Sequence, residues 1–313
     1  MSGRVGRHIP VLCNEVVMLL QPDARKAYLD GTFGDGGYSN ALLEMAPCVV
    51  WAIDRDPAAI LRGCALVERY GDRLHLIEGM FGDLARLLAN HGVRELDGAV
   101  FDFGVSSYQL DDPARGFSFR ADGPLDMRMG LNGRTAADVV NNTNEAELAN
   151  ILYHFGQERA SRRIAKAIVA RRKVRKFTTT IDLATVIRSV VRPDKSGIDP
   201  ATRSFQALRI EVNQELDEIE RGLAAVASML VPGGRLVVVS FHSLEDRLVK
   251  RFMNQACGRV AISSRHSPLQ DTAPAPVHFR PLTKGVITPT EAEVGRNPRS
   301  RSARLRTIER LAA

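Results

Sequence analysis

The sequence predicts an α/β fold, a doubly wound parallel sheet that is interrupted by an inserted all-α domain. Between residues 27 and 103, short apolar runs alternate with helical segments, which is the rhythm of parallel strands joined by right-handed crossovers. From residue 135 to residue 191 the apolar residues recur at helical spacing instead, which favours helices alone. The predicted boundaries are 1–113 and 208–313 for the two parts of the sheet domain, and 114–207 for the helical domain.

Composition sets the broad class of the protein. The 313 residues are 44% hydrophobic and 25% charged, as in an ordinary soluble protein. There is no apolar run of about 18 residues that could span a membrane and no apolar signal segment at the start, so a cytoplasmic location is expected. The four cysteines form neither a C-x-x-C pair nor a zinc spacing, so no metal is expected. The net charge of +7 favours a polyanionic partner.

The first predicted strand leads into a glycine-rich loop. Asp30 ends the apolar run 27–29, glycines follow at 31, 34, 36 and 37, and a helical segment comes next. Strand, glycine turn and helix form a nucleotide site, since glycine lets the backbone approach a ligand and the helix start offers N–H groups.

Two templates compete for this loop. The dinucleotide fingerprint requires a third glycine, and Ser39 stands there. The S-adenosylmethionine loop has an acid at the strand end and alternating glycines, which Asp30, Gly34 and Gly36 match, although Thr32 occupies the slot of its first glycine.

The next strands also end near polar or aromatic residues. The apolar run 49–53 ends at Asp54, about 20 residues past the loop, where nucleotide folds place the acid that binds ribose hydroxyls. A third run, 74–77, is followed by Phe81 at a turn into a helix, and a fourth, 99–103, contains Asp102.

The helical domain and the tail are both basic. The middle helix contains many cations. Such a run forms either an ordinary solvated face or a surface that binds nucleic acid, and the sequence leaves both alternatives open. They are Arg159, Arg162, Arg163, Lys166, Arg171, Arg172, Lys173, Arg175 and Lys176. The tail, residues 297–306, alternates arginine with small or apolar residues and is interpreted as a basic edge strand.

Three further expectations concern the second half of the chain. Residues 208–230 are predicted to form one long amphipathic helix, and residues 263–278 a mobile loop. The helix after strand five is expected to be capped by Ser243 and Asp246, in the manner of a capping box.

The chain resembles the bacterial ribosomal RNA small-subunit methyltransferase H family, also called MraW. The motifs lie in family order along nearly the whole chain. They are His8-Ile9-Pro10-Val11-Leu12, Asp30-Gly31-Thr32-Phe33-Gly34, Gly36-Gly37, Asp102-Phe103-Gly104-Val105-Ser106-Ser107, Gln109-Leu110-Asp111, Arg115-Gly116-Phe117-Ser118-Phe119, Pro124-Leu125-Asp126-Met127-Arg128-Met129, Ser240-Phe241-His242-Ser243-Leu244-Glu245-Asp246-Arg247 and Asn297-Pro298-Arg299-Ser300-Arg301-Ser302-Ala303.

The resemblance implies a Rossmann-like class I methyltransferase sheet of seven strands with a helical substrate-recognition domain after strand four. It also implies the reaction, transfer of methyl from S-adenosylmethionine to the N4 of a cytidine in the decoding region of 16S rRNA, so the partner is the small ribosomal subunit. The oligomeric state is left open, a homodimer included.

The resemblance also assigns site residues. The expected cofactor-binding set is Gly34, Gly36, Gly37, Tyr38, Asp54, Phe81, Asp102 and Gln109. The candidate substrate set comes from charge and from position in the chain instead, and consists of Asp126, Arg128, His242, Arg162, Arg163, Arg299 and Arg301. Positions 38 and 108, usually His and Pro in this family, are both Tyr here.

Asp102 is the candidate catalytic residue. The N4 lone pair of cytosine is delocalised into the ring, so the amine needs an acceptor for its N–H hydrogens. Asp102 lies at the carboxyl end of strand four, beside the expected cofactor. The D/N-P-P-aromatic motif of many amino-methyltransferases is absent there, so a role in cofactor binding alone stays open. For His242 a structural role is an equal alternative, and for Asp126 with Arg128 the alternative is an ordinary salt bridge.

Two rival functions are weaker. An NAD-dependent oxidoreductase lacks support from the loop, which has no third glycine. A non-catalytic RNA-binding protein would have no reason to keep Gly34, Gly36, Asp54, Asp102 and Gln109 together.

Overall fold

The computed structural model describes residues 10–193, 197–259 and 277–312. The contacts divide the chain into two compact units, one formed by Met1–Gly104 with Leu216–Ala313 and the other by Val105–Glu215. The second unit therefore begins nine residues before the predicted boundary at 114 and ends eight after the predicted boundary at 207. The side chains of Val105 and Leu110 pack against the helical core, which explains the earlier start.

The first unit is built on a seven-stranded sheet with the order β3-β2-β1-β4-β5-β7-β6. Strands β1 to β5 are parallel, and β7 is antiparallel to both of its neighbours. The predicted α/β class is confirmed. The strands are β1 Ala27–Asp30, β2 Val49–Asp54, β3 Leu74–Glu78, β4 Leu96–Asp102, β5 Leu230–Ser240, β6 Phe279–Pro281 and β7 Arg304–Arg310.

Helices cover both faces of this sheet and make up the regular structure of the second unit. Within its described residues, that unit contains helices α5 to α10 and no strand. The helices are α1 Cys13–Leu20, α2 Gly37–Met45, α3 Pro57–Tyr70, α4 Leu84–Ala89, α5 Ser107–Asp111, α6 Ala136–Asn142, α7 Glu145–Gly156, α8 Ser161–Arg172, α9 Thr180–Val190, α10 Thr202–Asn213, α11 Glu215–Met229, α12 Ser243–Ala256 and α13 Glu291–Arg296.

The core of the first unit lies on both faces of the sheet. One cluster contains Leu29, Ile53 and Phe101, and the other contains Tyr28, Val50 and Val100, so neighbouring residues of one strand point to opposite faces. In the described part of the chain, no helix is both long and apolar enough to cross a membrane.

The structure corrects the prediction of one long helix over 208–230. Two helices, α10 and α11, meet at Gln214, whose φ of 52° lies in the left-handed region. A helix cannot continue through that conformation.

The tail is not an edge strand. Residues Pro298–Ser302 form a 3-10 turn, and β7 lies between β5 and β6. The arginine charges are accommodated because Arg304 and Arg306 both pair with Asp246 of α12. The predicted loop over 263–278 lies outside the described residues except for its last two.

Asp246 is therefore not a cap of α12. His242 is the N-cap and Glu245 is its partner in the capping box, one residue earlier than predicted.

Candidate functional site

Three acids end adjacent parallel strands of the first unit. Asp30 ends β1, Asp54 ends β2 and Asp102 ends β4, and β1 pairs with both of the other strands. The chain leaves β1 toward β2 on one side, whereas β4 lies on its other side. This reversal of strand order is where α/β sheets open a crevice for ligands.

The glycine loop runs across this crevice. Gly34 and Gly36 have φ values of 57° and 72°, which side chains with a Cβ rarely adopt. The N–H of Gly34 donates to Asp54 Oδ2 at 2.7 Å. Gly37 begins α2, and a Cβ at Gly37 would lie 2.8 Å from the ring of Pro10. The loop therefore brings backbone N–H groups and a helix start to one place, as an anionic or nucleotide ligand requires.

Asp30 is a buried acid beneath the loop. Its Oδ2 accepts a hydrogen bond from Ser39 Oγ at 2.7 Å, and its Oδ1 accepts one from Thr32 N at 3.3 Å. Burial raises the pKa of Asp30 to about 6, against the lowering effect of these hydrogen bonds. Ser39, which replaces the third glycine of the dinucleotide fingerprint, thus holds the strand-end acid.

Asp54 ends β2, the strand beside β1, and its carboxylate binds the glycine loop. Its carboxylate accepts hydrogen bonds from the N–H groups of Gly34 and Asp56, at 2.7 and 2.8 Å. Burial raises the pKa of Asp54, and the two N–H bonds oppose that shift. The expected role of Asp54 in ribose binding stays a prediction.

Asp102 has a carboxyl oxygen that accepts no regular hydrogen bond from the described residues, although the hydroxyl of Tyr38 lies near the carboxyl group and acts to lower its pKa against the effect of burial. Its Oδ1 is buried and makes no hydrogen bond to the described residues. Burial raises the pKa of Asp102 well above its usual range, and the nearby acids Asp30 and Glu245 raise it further. A buried acceptor without a partner costs free energy, and at a strand end this cost indicates a group kept for a ligand.

Tyr38 points its side chain into the protein. The side chain is buried, and the hydroxyl donates to the backbone oxygen of Val11 at 2.5 Å, so it attaches residues before α1 to the loop. Burial raises the pKa of Tyr38, and the nearby Asp102 adds to the effect. A cofactor contact at this position would therefore be left to the backbone.

Phe81 stands at the start of the 3-10 turn Phe81–Asp83. Its half-buried ring lies 5.5 Å from the ring of Phe101 in an edge-on arrangement and 5.6 Å from that of Phe103. The turn follows the carboxyl end of β3, and β3 is the neighbour of β2, which ends at Asp54. The expected contact of Phe81 with adenine stays a prediction.

His242 begins α12 just after β5. Its Nδ1 accepts from the N–H of Glu245 at 3.4 Å, and its Nε2 lies 2.9 Å from Glu245 Oε1. The fully buried Glu245 in turn accepts the N–H of Phe241 at 2.7 Å. The structural role left open for His242 is therefore observed, while its contact with substrate stays a prediction.

The comparisons with known proteins agree over the whole chain. The family model described as the MraW methylase family matches residues 6–311. The chain belongs to this family.

Two curated relatives carry the name ribosomal RNA small subunit methyltransferase H. The protein from Acidiphilium cryptum (strain JF-5) is 72% identical over 315 residues, covering all of both chains. The protein from Granulibacter bethesdensis is 59% identical over 307 residues, covering 98% of this chain and 92% of its own length. The predicted membership of the MraW methylase family is thus confirmed, and the class of enzyme, a methyltransferase, is confirmed with it.

The second unit of this MraW methylase carries the remaining candidates except Arg299 and Arg301. Gln109 is buried, and in the capping box of α5 its Oε1 accepts the N–H of Ser106 at 3.0 Å. Asp126 and Arg128 form a two-pronged ion pair with two N–O distances of 2.8 Å. Partial burial acts to raise the pKa of Asp126, but the hydrogen bonds from Arg128 outweigh burial and lower this pKa below its usual value. The salt bridge left open as the alternative is observed, and roles in cofactor or substrate binding stay predictions.

The basic surface keeps seven of its nine predicted cations, since only Arg171 and Arg172 are partly buried. Arg162 and Arg163 are exposed on α8, as is Lys166. By contrast, Arg171 is paired with Asp182, and Arg172 donates to the backbone oxygen of Val140. The tail residues Arg299 and Arg301 are exposed on the 3-10 turn Pro298–Ser302 of the first unit.

Four residues that organise the site were not among the predicted site residues: Asp30, Thr32, Ser39 and Glu245. Thr32 is the acceptor for the N–H of Asp102 at 2.7 Å. The departures from the two glycine templates, at Thr32 and Ser39, were the signals that could have identified two of them.

Proposed function

We propose that this MraW methylase transfers a methyl group from S-adenosylmethionine to the exocyclic N4 of a cytidine in 16S rRNA, in the decoding region of the small ribosomal subunit. The observation that carries the proposal is the buried Oδ1 of Asp102, which accepts no regular hydrogen bond from the described residues. It stands at the end of β4, next to the glycine loop after β1.

The residues of the crevice fit S-adenosylmethionine. The backbone of Gly34, Gly36 and Gly37 offers a close approach, the carboxylate of Asp54 suits ribose hydroxyls, and the ring of Phe81 suits the face of adenine. When bound, S-adenosylmethionine supplies an electrophilic methyl group on a positively charged sulfonium, and such a cation favours the ionised form of a neighbouring carboxylate. In the second unit, Gln109 is the proposed contact for the methionine end.

Asp102 is the proposed acceptor for the N–H hydrogens of the target amine. An ionised carboxylate draws density toward N4 through these hydrogen bonds and can take the proton that the methylated amine releases. In-line displacement asks for little else than positioning and electrostatics. Thr32 supplies the positioning, because it holds the backbone of Asp102.

The RNA substrate is supported by the names of the curated relatives and by the exposed cations of α8. Arginine and lysine contact phosphates irrespective of sequence. The proposed RNA contacts are Arg162 and Arg163, together with Asp126, Arg128, His242, Arg299 and Arg301. The helical unit is accordingly proposed to recognise the substrate. A cytoplasmic location follows from this substrate.

The direct test is transfer of tritiated methyl from S-adenosylmethionine to small subunits that lack the modification, followed by nucleoside analysis. Label in N4-methylcytidine, lost in Asp102→Ala, is the expected result. Cofactor binding without label on subunits or free rRNA would overturn the proposed acceptor. Failure of the wild type to bind the cofactor would overturn the methyl donor, and RNA binding alone would then favour a non-catalytic role.

A further inference from the structure

Residues of helix α11 bind the 3-10 turn that carries Phe81. The buried carboxylate of Glu218 accepts the N–H of Gly82 at 2.9 Å. Arg221 pairs with Glu218 and also with Asp83, where Nη1 and Oδ1 are 2.7 Å apart. Two residues of α11 therefore fix the two residues that follow Phe81.

A third residue of α11 makes room for the ring itself. A Cβ built on Gly222 would lie 2.6 Å from Cδ2 of Phe81 and 3.3 Å from its backbone oxygen. Real Cβ atoms essentially never come closer than 3.0 Å to a neighbour. Gly222 therefore has a packing reason that outweighs the cost of glycine inside a helix, and any larger residue must displace the ring of Phe81.

The ring is bounded on its other side by β4. Phe101 meets it edge-on, and the same Phe101 ring occupies the space beside Gly31, where a Cβ would lie only 2.2 Å from Cε1. The position of Phe81 is thus coupled by direct contact to the start of the glycine loop.

A buried carboxylate is an expensive way to fill space, because burying a charge costs free energy unless it is paired and hydrogen-bonded. At Glu218 the carboxylate makes two directed contacts, one with the N–H of Gly82 in the turn and one with Arg221, which itself pairs with Asp83 of the same turn. We infer that Glu218 and Gly222 are positioning residues that fix the ring of Phe81 as one wall of the adenine subsite. This inference rests on the proposed function, since it takes S-adenosylmethionine as the ligand of the crevice.

The test is equilibrium binding of S-adenosylhomocysteine to the full chain by calorimetry. Glu218→Gln keeps the shape but weakens the acceptor, and Gly222→Ala displaces the ring. Each is expected to weaken binding about tenfold, the loss typical of a weakened base–aromatic stack. The matched control is Glu220→Gln, an exposed residue of the same helix that pairs with Arg251, and it should bind like the wild type.

A double-mutant cycle separates positioning from general destabilisation. In a Phe81→Leu background the effect of Glu218→Gln should vanish, because residues that act through one ring are not additive. If Gly222→Ala does not fold, Arg221→Gln is used as the second α11 variant, and its effect should likewise vanish in the Phe81→Leu background. Wild-type affinity in both α11 variants, or an undiminished loss in the Phe81→Leu background, would overturn the inference. Absence of binding by the wild type would instead overturn the proposed function.

Discussion

The N–H of Asp102 donates a hydrogen bond to the hydroxyl of Thr32, with 2.7 Å between nitrogen and oxygen. A side chain from the loop after β1 thus fixes the end of β4, and with it the carboxyl group proposed to receive the substrate. The glycine that the S-adenosylmethionine template expects at position 32 could not make this bond.

Thr32→Val tests this contact. The substitution removes the acceptor but keeps the shape, so the N–H of Asp102 is left unsatisfied at a cost of about 1–3 kcal/mol. We expect a lower free energy of unfolding in urea and a lower kcat, with little change in KM for the RNA. Thr185→Val, at an exposed threonine of α9, is the control and should leave both quantities near the wild type.

Asp102→Asn is expected to separate activity from stability. Loss of the proton acceptor should lower kcat by about 10²–10⁴-fold, the usual contribution of a general base. Since the raised pKa of Asp102 reflects a disfavoured charge, the neutral amide should raise the thermal unfolding midpoint at neutral pH. A variant that is inactive and also less stable than the wild type would contradict this account of Asp102.

Asp30 should make stability fall as pH rises. Its pKa is raised from 3.8 to about 6, so the folded protein holds this proton more tightly than the unfolded chain does. The stabilisation from this proton is fully present below the pKa of Asp30 in the unfolded chain, and it is lost as the pH rises through the pKa in the folded protein. At 1.36 kcal/mol per pKa unit, the free energy of unfolding changes by about 3 kcal/mol.

Urea denaturation of Asp30→Asn and the wild type across that window gives the measurement. The variant should lack this part of the pH dependence, whereas Asp72→Asn, at an exposed acid, should retain it. Equal slopes in Asp30→Asn and the wild type would show that Asp30 has an ordinary pKa.

The exposed cations of α8 are expected to contribute to binding of the small subunit. Arg162→Ala combined with Arg163→Ala should raise KM for the subunit and lower the salt slope of log affinity by about 1.4, or 0.7 per lost phosphate contact. Lys250→Ala, which removes one positive charge from an exposed part of α12, is the control for each of the two single variants. An unchanged salt slope in the double variant would place the RNA elsewhere.

The positions of the three strand-end acids could be predicted because parallel strands bring their carboxyl ends to one edge. Apolar runs mark the strands, so the sequence predicted that Asp54 and Asp102 lie at strand ends near the glycine loop. The bonds that hold the site could not be predicted in this way. Thr32 and Asp102 are 70 residues apart, and Gly82 and Glu218 are 136 apart, so no local pattern links them.

Two local errors have similar causes. The break at Gln214 depends on a positive φ at a residue other than glycine, and such a conformation is set by tertiary packing that leaves no pattern in the sequence. The arginines of the tail suggested a solvent-exposed edge strand. The acid that neutralises two of them, Asp246, is 58 and 60 residues away along the chain, so the local sequence does not show these ion pairs.

The place of β7 in the sheet has a consequence for shortened chains. Strand β5 pairs with β4 on one side and with β7 on the other, and its buried residues Leu236, Val237, Val238 and Val239 form a strongly apolar run. A chain that stopped before Arg304 would leave that strand with an open edge whose residues 236–239 are all apolar, a form prone to pair with another molecule. Such a truncation is expected to yield aggregates, from which loss of catalysis could not be interpreted.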